Sequence, residues 1–125
     1  MQRGGKVVAR VSRDLSGKSL LAFLRRHVKR EGTTLITDEY RAYGLAKRYF
    51  EASATINHNE RYADGDVHTN SIEGFWGLLK RAWYGSHHHY TEGRMPLYVA
   101  EASWKFNRRK DPDSFGTFMR ECVAV

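Results

Sequence analysis

The stretch His-Thr-Asn-Ser-Ile-Glu-Gly-Phe-Trp-Gly-Leu-Leu-Lys-Arg-Ala-Trp-Tyr-Gly, His68 to Gly85, decides how the rest of this chain is read. At 3.6 residues per turn, Ile72, Phe75, Trp76, Leu79 and Trp83 gather within about 100° of a helical wheel. They form an aromatic side suited to a core. Glu73 and Lys80, seven positions apart, nearly eclipse each other on a different face, with Gly77 between them and Asn70 one turn earlier. Amphipathic helices ordinarily carry a solvated charged face, and these two charges fit that description as well. The glycines point elsewhere, because Gly74 and Gly77 each cost up to about 1 kcal/mol in a helix interior. A glycine between an acid and a lysine also removes the side chain that would keep a ligand at a distance.

Upstream of this helix the pattern alternates. Gly4-Gly5 signals a turn and Lys6 to Val11 reads as a strand. Ser16 is the expected N-cap of a helix over Lys18 to Arg30, with Leu20, Leu21, Leu24 and Val28 as its apolar stripe. Arg25, Arg26, Lys29 and Arg30 occupy its other faces, and Gly32 ends it. Thr33 to Thr37 is short, β-branched and apolar, the pattern of a buried strand that delivers Asp38 at its C-terminal end. A helix over Glu39 to Phe50, a short strand at Ala54 to Ile56 and a polar loop from Asn57 to Val67 follow. Strand, helix, strand, helix, strand predicts an α/β layer, in which ligands sit beyond the carboxyl ends of the strands, where Asp38 stands. After Asn70 the chain is helical, over Asn70 to Tyr84 and again over Pro96 to Arg109, with Pro96 in the first turn.

Composition sets the outer limits. The chain has 125 residues, enough for one domain, and its 41% apolar and 13% aromatic content argues against intrinsic disorder. No apolar run is long enough to span a membrane, and the N-terminus lacks the apolar segment of a secretory signal. One cysteine, Cys122, cannot form an internal disulfide, so a reducing, cytoplasmic setting is the expectation. Twenty-one Lys and Arg against 14 Asp and Glu leave a net charge of +7, which favours a polyanionic partner.

Specific motifs narrow the reading. Thr-Asp-Glu-Tyr-Arg-Ala-Tyr at Thr37 to Tyr43, Asn57-His58, the run from Gly65 to Tyr90 and Phe-Asn-Arg-Arg-Lys at Phe106 to Lys110 stand in order along nearly the whole chain. Together they resemble the ISXO-like bacterial insertion-sequence transposases of the DDE class. That resemblance implies an RNase H-like α/β fold, a mixed sheet with flanking helices, as one partial catalytic domain over residues 1–125. It implies metal-dependent DNA strand cleavage and strand transfer, with Mg²⁺ or Mn²⁺ held between clustered carboxylates. Asp38 and Glu73 would be catalytic acids and metal ligands, Asn70 an alternative ligand, and Lys80 a catalytic contact to substrate phosphate. Lys80, Arg81, Arg108, Arg109 and Lys110 would contact DNA, both the element's ends and its target. A bacterial cytoplasmic location, associated with the nucleoid through DNA, and no membrane partner follow from the same resemblance; self-association stays open.

The family's first catalytic Asp lies on a strand upstream of the hairpin that enters Lys6 to Val11. The chain begins near that hairpin, so the expectation is an N-terminally truncated transposase lacking the first strand and first acid, and inactive alone. Asp14 cannot substitute, because it follows the strand and precedes the helix. Two other classes compete: a non-catalytic DNA-binding remnant and another RNase H-like nuclease.

The remaining residues read more plainly. His87-His88-His89 is a polar loop near DNA rather than a zinc site, since no Cys or acid stands at ligand spacing. His58 and His68 are single loop histidines. Tyr40 and Tyr43 are packing residues, while Trp76, Trp83 and Trp104, spaced among Leu and Phe, belong to the core more readily than to stacked bases. The basic end of the last helix serves either as a dipole cap or as a phosphate contact.

Overall fold

The computed structural model describes residues 1–57, 63–64, 67–68, 70–87 and 89–124, with the backbone alone at 63–64 and 67–68. His58, His88, part of the Asn57 to Val67 loop and the side chain of His68 lie outside the described residues. The chain divides into two compact units, one from Ser12 to Glu73 and one joining Met1–Val11 to Gly74–Val125.

In the first unit, helix α1 spans Gly17–His27. Its N-cap is Ser16, whose hydroxyl accepts the Ser19 N–H at 3.4 Å. Asp14 braces the same turn: its carboxylate accepts the Ser16 N–H at 2.9 Å and the hydroxyls of Ser16 and Ser19. Those bonds hold Asp14 below its usual pKa, the Ser19 hydroxyl contributing most. Gly32 then takes φ +69°, a left-handed turn that only glycine adopts readily, and strand β1 follows at Thr34–Thr37. A 3₁₀ turn over Arg41–Tyr43 runs into α2, Gly44–Tyr49, and β2 occupies Ala52–Thr55. The predicted helix at Glu39 starts late because the Asp38 carboxylate accepts the Tyr40 N–H at 3.1 Å, fixing an Asx turn instead.

Strands β1 and β2 pair in parallel, Thr34 opposite Ala52 through Thr37 opposite Thr55, and the Ile56 N–H continues the ladder onto the Thr37 carbonyl at 2.9 Å. This β-α-β arrangement has the parallel pairing expected of an α/β layer. Its core is small, made of Thr37, Ala46, Phe50 and Ile56. β1 is only partly covered, since Thr37 alone among its residues is buried. Strands β3 (Ala63–Asp64) and β4 (Val67–His68) form a separate antiparallel pair. The described strands thus make two small sheets rather than one mixed sheet.

Helix α3, Asn70–Tyr84, matches its predicted bounds; its residues from Gly74 onward belong to the second unit. That unit adds α4, Met95–Asn107, with Pro96 in its first turn, and α5, Ser114–Val123. Phe75 is fully enclosed and meets Phe106 edge to face at 5.5 Å, with Val7, Tyr90 and Val99 buried as well. Trp76 and Trp83 correct the wheel, because they stay 43% and 36% exposed. The covered side of α3 centres on Phe75, with Leu79 and Ala82 partly covered beside it, which turns both tryptophans toward its rim.

Lys6 to Val11 forms no strand. Val7 is extended, but its ladder partner is a side chain: its N–H donates to Asn107 Oδ1 at 2.7 Å and its carbonyl accepts from Asn107 Nδ2 at 2.9 Å. One primary amide thereby reproduces a single rung of a sheet and satisfies the backbone of a buried valine. Among the described residues no helix is long and apolar enough to cross a membrane.

Candidate functional site

Asp38 stands where β1 ends, exposed, one residue beyond the buried Thr37. Its Oδ1 is occupied by the Tyr40 N–H. Oδ2 receives no hydrogen bond from a described residue. Its negative charge is felt nearby: the Tyr43 hydroxyl is pushed above its ordinary pKa, first by burial and then by Asp38 and Tyr40. Tyr40 is 51% exposed and Tyr43 half-buried, and their rings meet edge to face at 6.1 Å, so only Tyr43 packs as expected.

Asn70 and Glu73 lie in the first turn of α3, both exposed, in the same unit as Asp38. Lys80 and Arg81 lie two turns further along α3, both exposed, within the second unit. Gly77 presents an open face between Glu73 and Lys80, since a Cβ there would meet only Arg81 Nη1, at 3.6 Å. No group of three or more His, Cys, Asp or Glu suited to a metal ion gathers among the described residues. Exposed carboxylates such as Asp38 and Glu73 suit Mg²⁺ in one respect, because that ion keeps several waters and takes one or two protein carboxylates together with substrate phosphates.

The basic cluster after α4 is more committed than its sequence indicates. Arg108 lies over the Trp104 ring at 5.2 Å and its Nη2 pairs with Glu121 of α5. The Trp104 indole N–H donates to the other oxygen of Glu121 at 2.7 Å, and together the two bonds hold Glu121 below the usual carboxylate pKa. Arg109 lies over the Phe106 ring at 4.1 Å and donates to the Phe106 carbonyl at 2.8 Å. Its other nitrogen reaches the Gly4 and Gly5 carbonyls at 3.4 and 3.5 Å. Carbonyls do not neutralise a guanidinium, and among the described residues no carboxylate pairs with Arg109; Lys110 beside it is exposed. In the first unit, Arg25 and Arg30 flank the Tyr49 ring at 5.4 and 5.3 Å.

Sequence reasoning missed what surrounds His87. Instead of a purely polar loop, His87 joins Tyr90 and Tyr98 in an aromatic cluster facing Glu101. The signal was present in Tyr98, Glu101 and Lys105, which fall on one face of α4 at offsets of three and seven.

An acid at a strand end, a second acid opening a helix and exposed cations further along that helix stand in a mixed α/β chain. The ISXO2-like transposase domain matches residues 1–107, so the chain belongs to that family. It is similar to an uncharacterized transposase-like protein of Haemophilus influenzae, 28% identical over 102 residues that make up 82% of this chain and 81% of that one. No solved structure matches it. The resemblance carried by the motifs at Thr37 to Tyr43 and Gly65 to Tyr90 is thus borne out at the level of family.

Proposed function

We propose that this chain serves a DNA transposase of an insertion sequence, as an RNase H-like, DDE-type catalytic domain. The observation that carries the reading is Asp38, held by an Asx turn at the C-terminal end of a parallel strand, in a chain of this family. Asp38 and Glu73 would hold Mg²⁺ or Mn²⁺, with Asn70 as a neutral oxygen donor beside them. When bound, such ions lower the pKa of a nucleophilic water or 3′-hydroxyl and stabilise the leaving oxygen. The chain's own share is to orient those carboxylates, through the Asx turn at Asp38 and the first turn of α3 at Glu73. Lys80, Arg81, Arg109 and Lys110 would hold the DNA backbone by charge.

Two measurements test this. Mn²⁺ should broaden the NMR signals of Asp38 and Glu73 selectively, and Asp38→Asn with Glu73→Gln should abolish that broadening together with any metal-dependent cleavage of element ends. Unchanged Mn²⁺ binding in the double variant would remove both acids from the site. DNA affinity should fall steeply between about 50 and 200 mM salt, as phosphate neutralisation requires. Salt-dependent binding without any metal effect would instead favour the non-catalytic DNA-binding reading.

A further inference from the structure

The second unit contains a cavity of about 260 Å³. Ala82 of α3 and Ala102 of α4 give it small walls, and Tyr90, Tyr98 and His87 give it an aromatic one. Tyr90 and Tyr98 stack nearly parallel, 4.6 Å between centroids at 22°, and His87 leans on Tyr98 at 4.8 Å. Tyr90 is buried and its hydroxyl donates to the Leu79 carbonyl at 3.1 Å, so the aromatic wall is fixed in place rather than adaptable.

Most of the lining is apolar, as a platform for a flat ring requires, and four residues with polar ends stand among its walls: His87, Glu101, Lys105 and Arg109. His87 Nε2 stands 3.7 Å from one oxygen of Glu101, and Lys105 pairs with the other. Arg109 contributes a charge that no carboxylate neutralises among the described residues. Flat π surfaces, a carboxylate beside an imidazole, and cations fit one chemical shape: a planar heteroaromatic ring with hydrogen-bonding edges that carries a phosphate. A carboxylate among the walls disfavours a phosphate entering deeply, while the guanidinium suits one left outside. A base paired within a duplex cannot present its faces to such a wall, but an unstacked one can.

We propose that this cavity receives a single nucleobase unstacked from bound DNA, its ring against Tyr98 and His87 and its phosphate at Arg109. The proposal rests on the DNA reading above and adds to it a preference for distorted DNA. The test compares the full chain's affinity for a duplex bearing one unpaired 2-aminopurine with its affinity for the same duplex fully paired. The bulged duplex should bind about tenfold more tightly, within the range of a base–aromatic stack, and its fluorescence should be quenched on binding. Tyr98→Ala, which removes the platform, and Ala102→Leu, which fills the space, should each erase the preference while paired-duplex affinity and the circular dichroism spectrum persist. Equal affinity for the two duplexes without quenching, in the unaltered chain, overturns the cavity's role and leaves DNA binding standing. A preference that survives both variants also overturns it. Failure to bind either duplex overturns this proposal and the DNA reading together.

Discussion

The two units solve the problem of a small core in opposite ways. Ser12–Glu73 encloses Ala46, Phe50, Ile56 and Thr37, and its order comes largely from local devices: the Asp14–Ser16–Ser19 cap, the left-handed Gly32 and the Asx turn at Asp38. The other unit is built on large rings, with Phe75 against Phe106 and Tyr90 against Tyr98, and its Phe75–Phe106 and Val7–Asn107 pairs join residues far apart in sequence. The acids Asp38 and Glu73 belong to the locally organised unit, and the cations Lys80, Arg81, Arg109 and Lys110 to the aromatic one. Asp38 is placed by a backbone turn and Glu73 by the first turn of a helix, whereas the cations are carried by the unit built around aromatic rings.

The strongest way to break this contrast is Phe75→Ala. Removing a fully buried phenylalanine should cost about 3–5 kcal/mol. Trp76, Trp83 and Trp104, the chain's three tryptophans, all lie in the aromatic unit, so tryptophan fluorescence during urea unfolding reports that unit alone. Amide exchange at Ala46 and Ile56 reports the other, and protection there should persist. Its collapse alongside the tryptophan signal would show one cooperative structure rather than two.

Next in size is Asn107→Ala. It leaves the N–H and carbonyl of Val7, a residue only 2% exposed, without their partners, at a cost of about 2–3 kcal/mol. The same fluorescence-monitored unfolding measures it, and a loss below about half a kcal/mol would mean that water replaces the amide.

A paired comparison on α3 separates folding from function. A Cβ at Gly74 would meet nothing within 4 Å, and one at Gly77 only Arg81 Nη1. Both Gly74→Ala and Gly77→Ala should therefore raise stability, by up to about 1 kcal/mol each. Gly77→Ala should also weaken DNA binding in a filter or anisotropy assay, because its methyl intrudes between Glu73 and Lys80. Equal DNA affinity in the two variants would return Glu73 and Lys80 to the status of ordinary surface charges.

The smallest effect concerns acid. Glu121 and Asp111 titrate below their ordinary values of 4.5 and 3.8, the first through bonds from Trp104 and Arg108, the second through the Asp113 N–H and the Thr117 hydroxyl. A lowered folded pKa adds stability above the unfolded value and loses it as pH falls through the folded one. Hence α5 should loosen only below about pH 4, seen as a shift in Trp104 emission. Glu121→Gln should diminish that response. Asp14, lowered in the same way, should produce a matching acid transition at α1 that the substitution leaves untouched.

How much of this was legible beforehand follows from the range of the interactions. Ser16 and Pro96 act within a turn, and each marked its helix start as expected, whereas α1 ends at His27, capped by Val28, short of the Arg30 that Gly32 was expected to follow. The bounds of α3 were readable for the same reason. Its buried direction was not, because a hydrophobic wheel weighs Trp76 and Trp83 by their apolarity alone, while Phe75 is met by Phe106 from a different helix. The strand at Lys6 to Val11 failed on similar grounds: its β-branched pattern was correct, but a side-chain amide a hundred residues away took the place of a neighbouring strand. α5 went unread because the family motifs end with Phe106 to Lys110, before Ser114. The place of Asp38 just beyond a strand was readable because the β-branched run Thr33 to Thr37 is local in sequence.

The bond between Val7 and Asn107 also sets an order in time. A chain emerging from the ribosome presents Val7 a hundred residues before the amide that completes it, so residues 1–11 must wait while that whole interval is made. Ser12–Glu73, whose contacts close within itself, can organise during that interval. Folding of the aromatic unit is therefore a late, non-local event, and an interrupted translation ending before Asn107 would release a chain with its acids in place and its cationic half unmade.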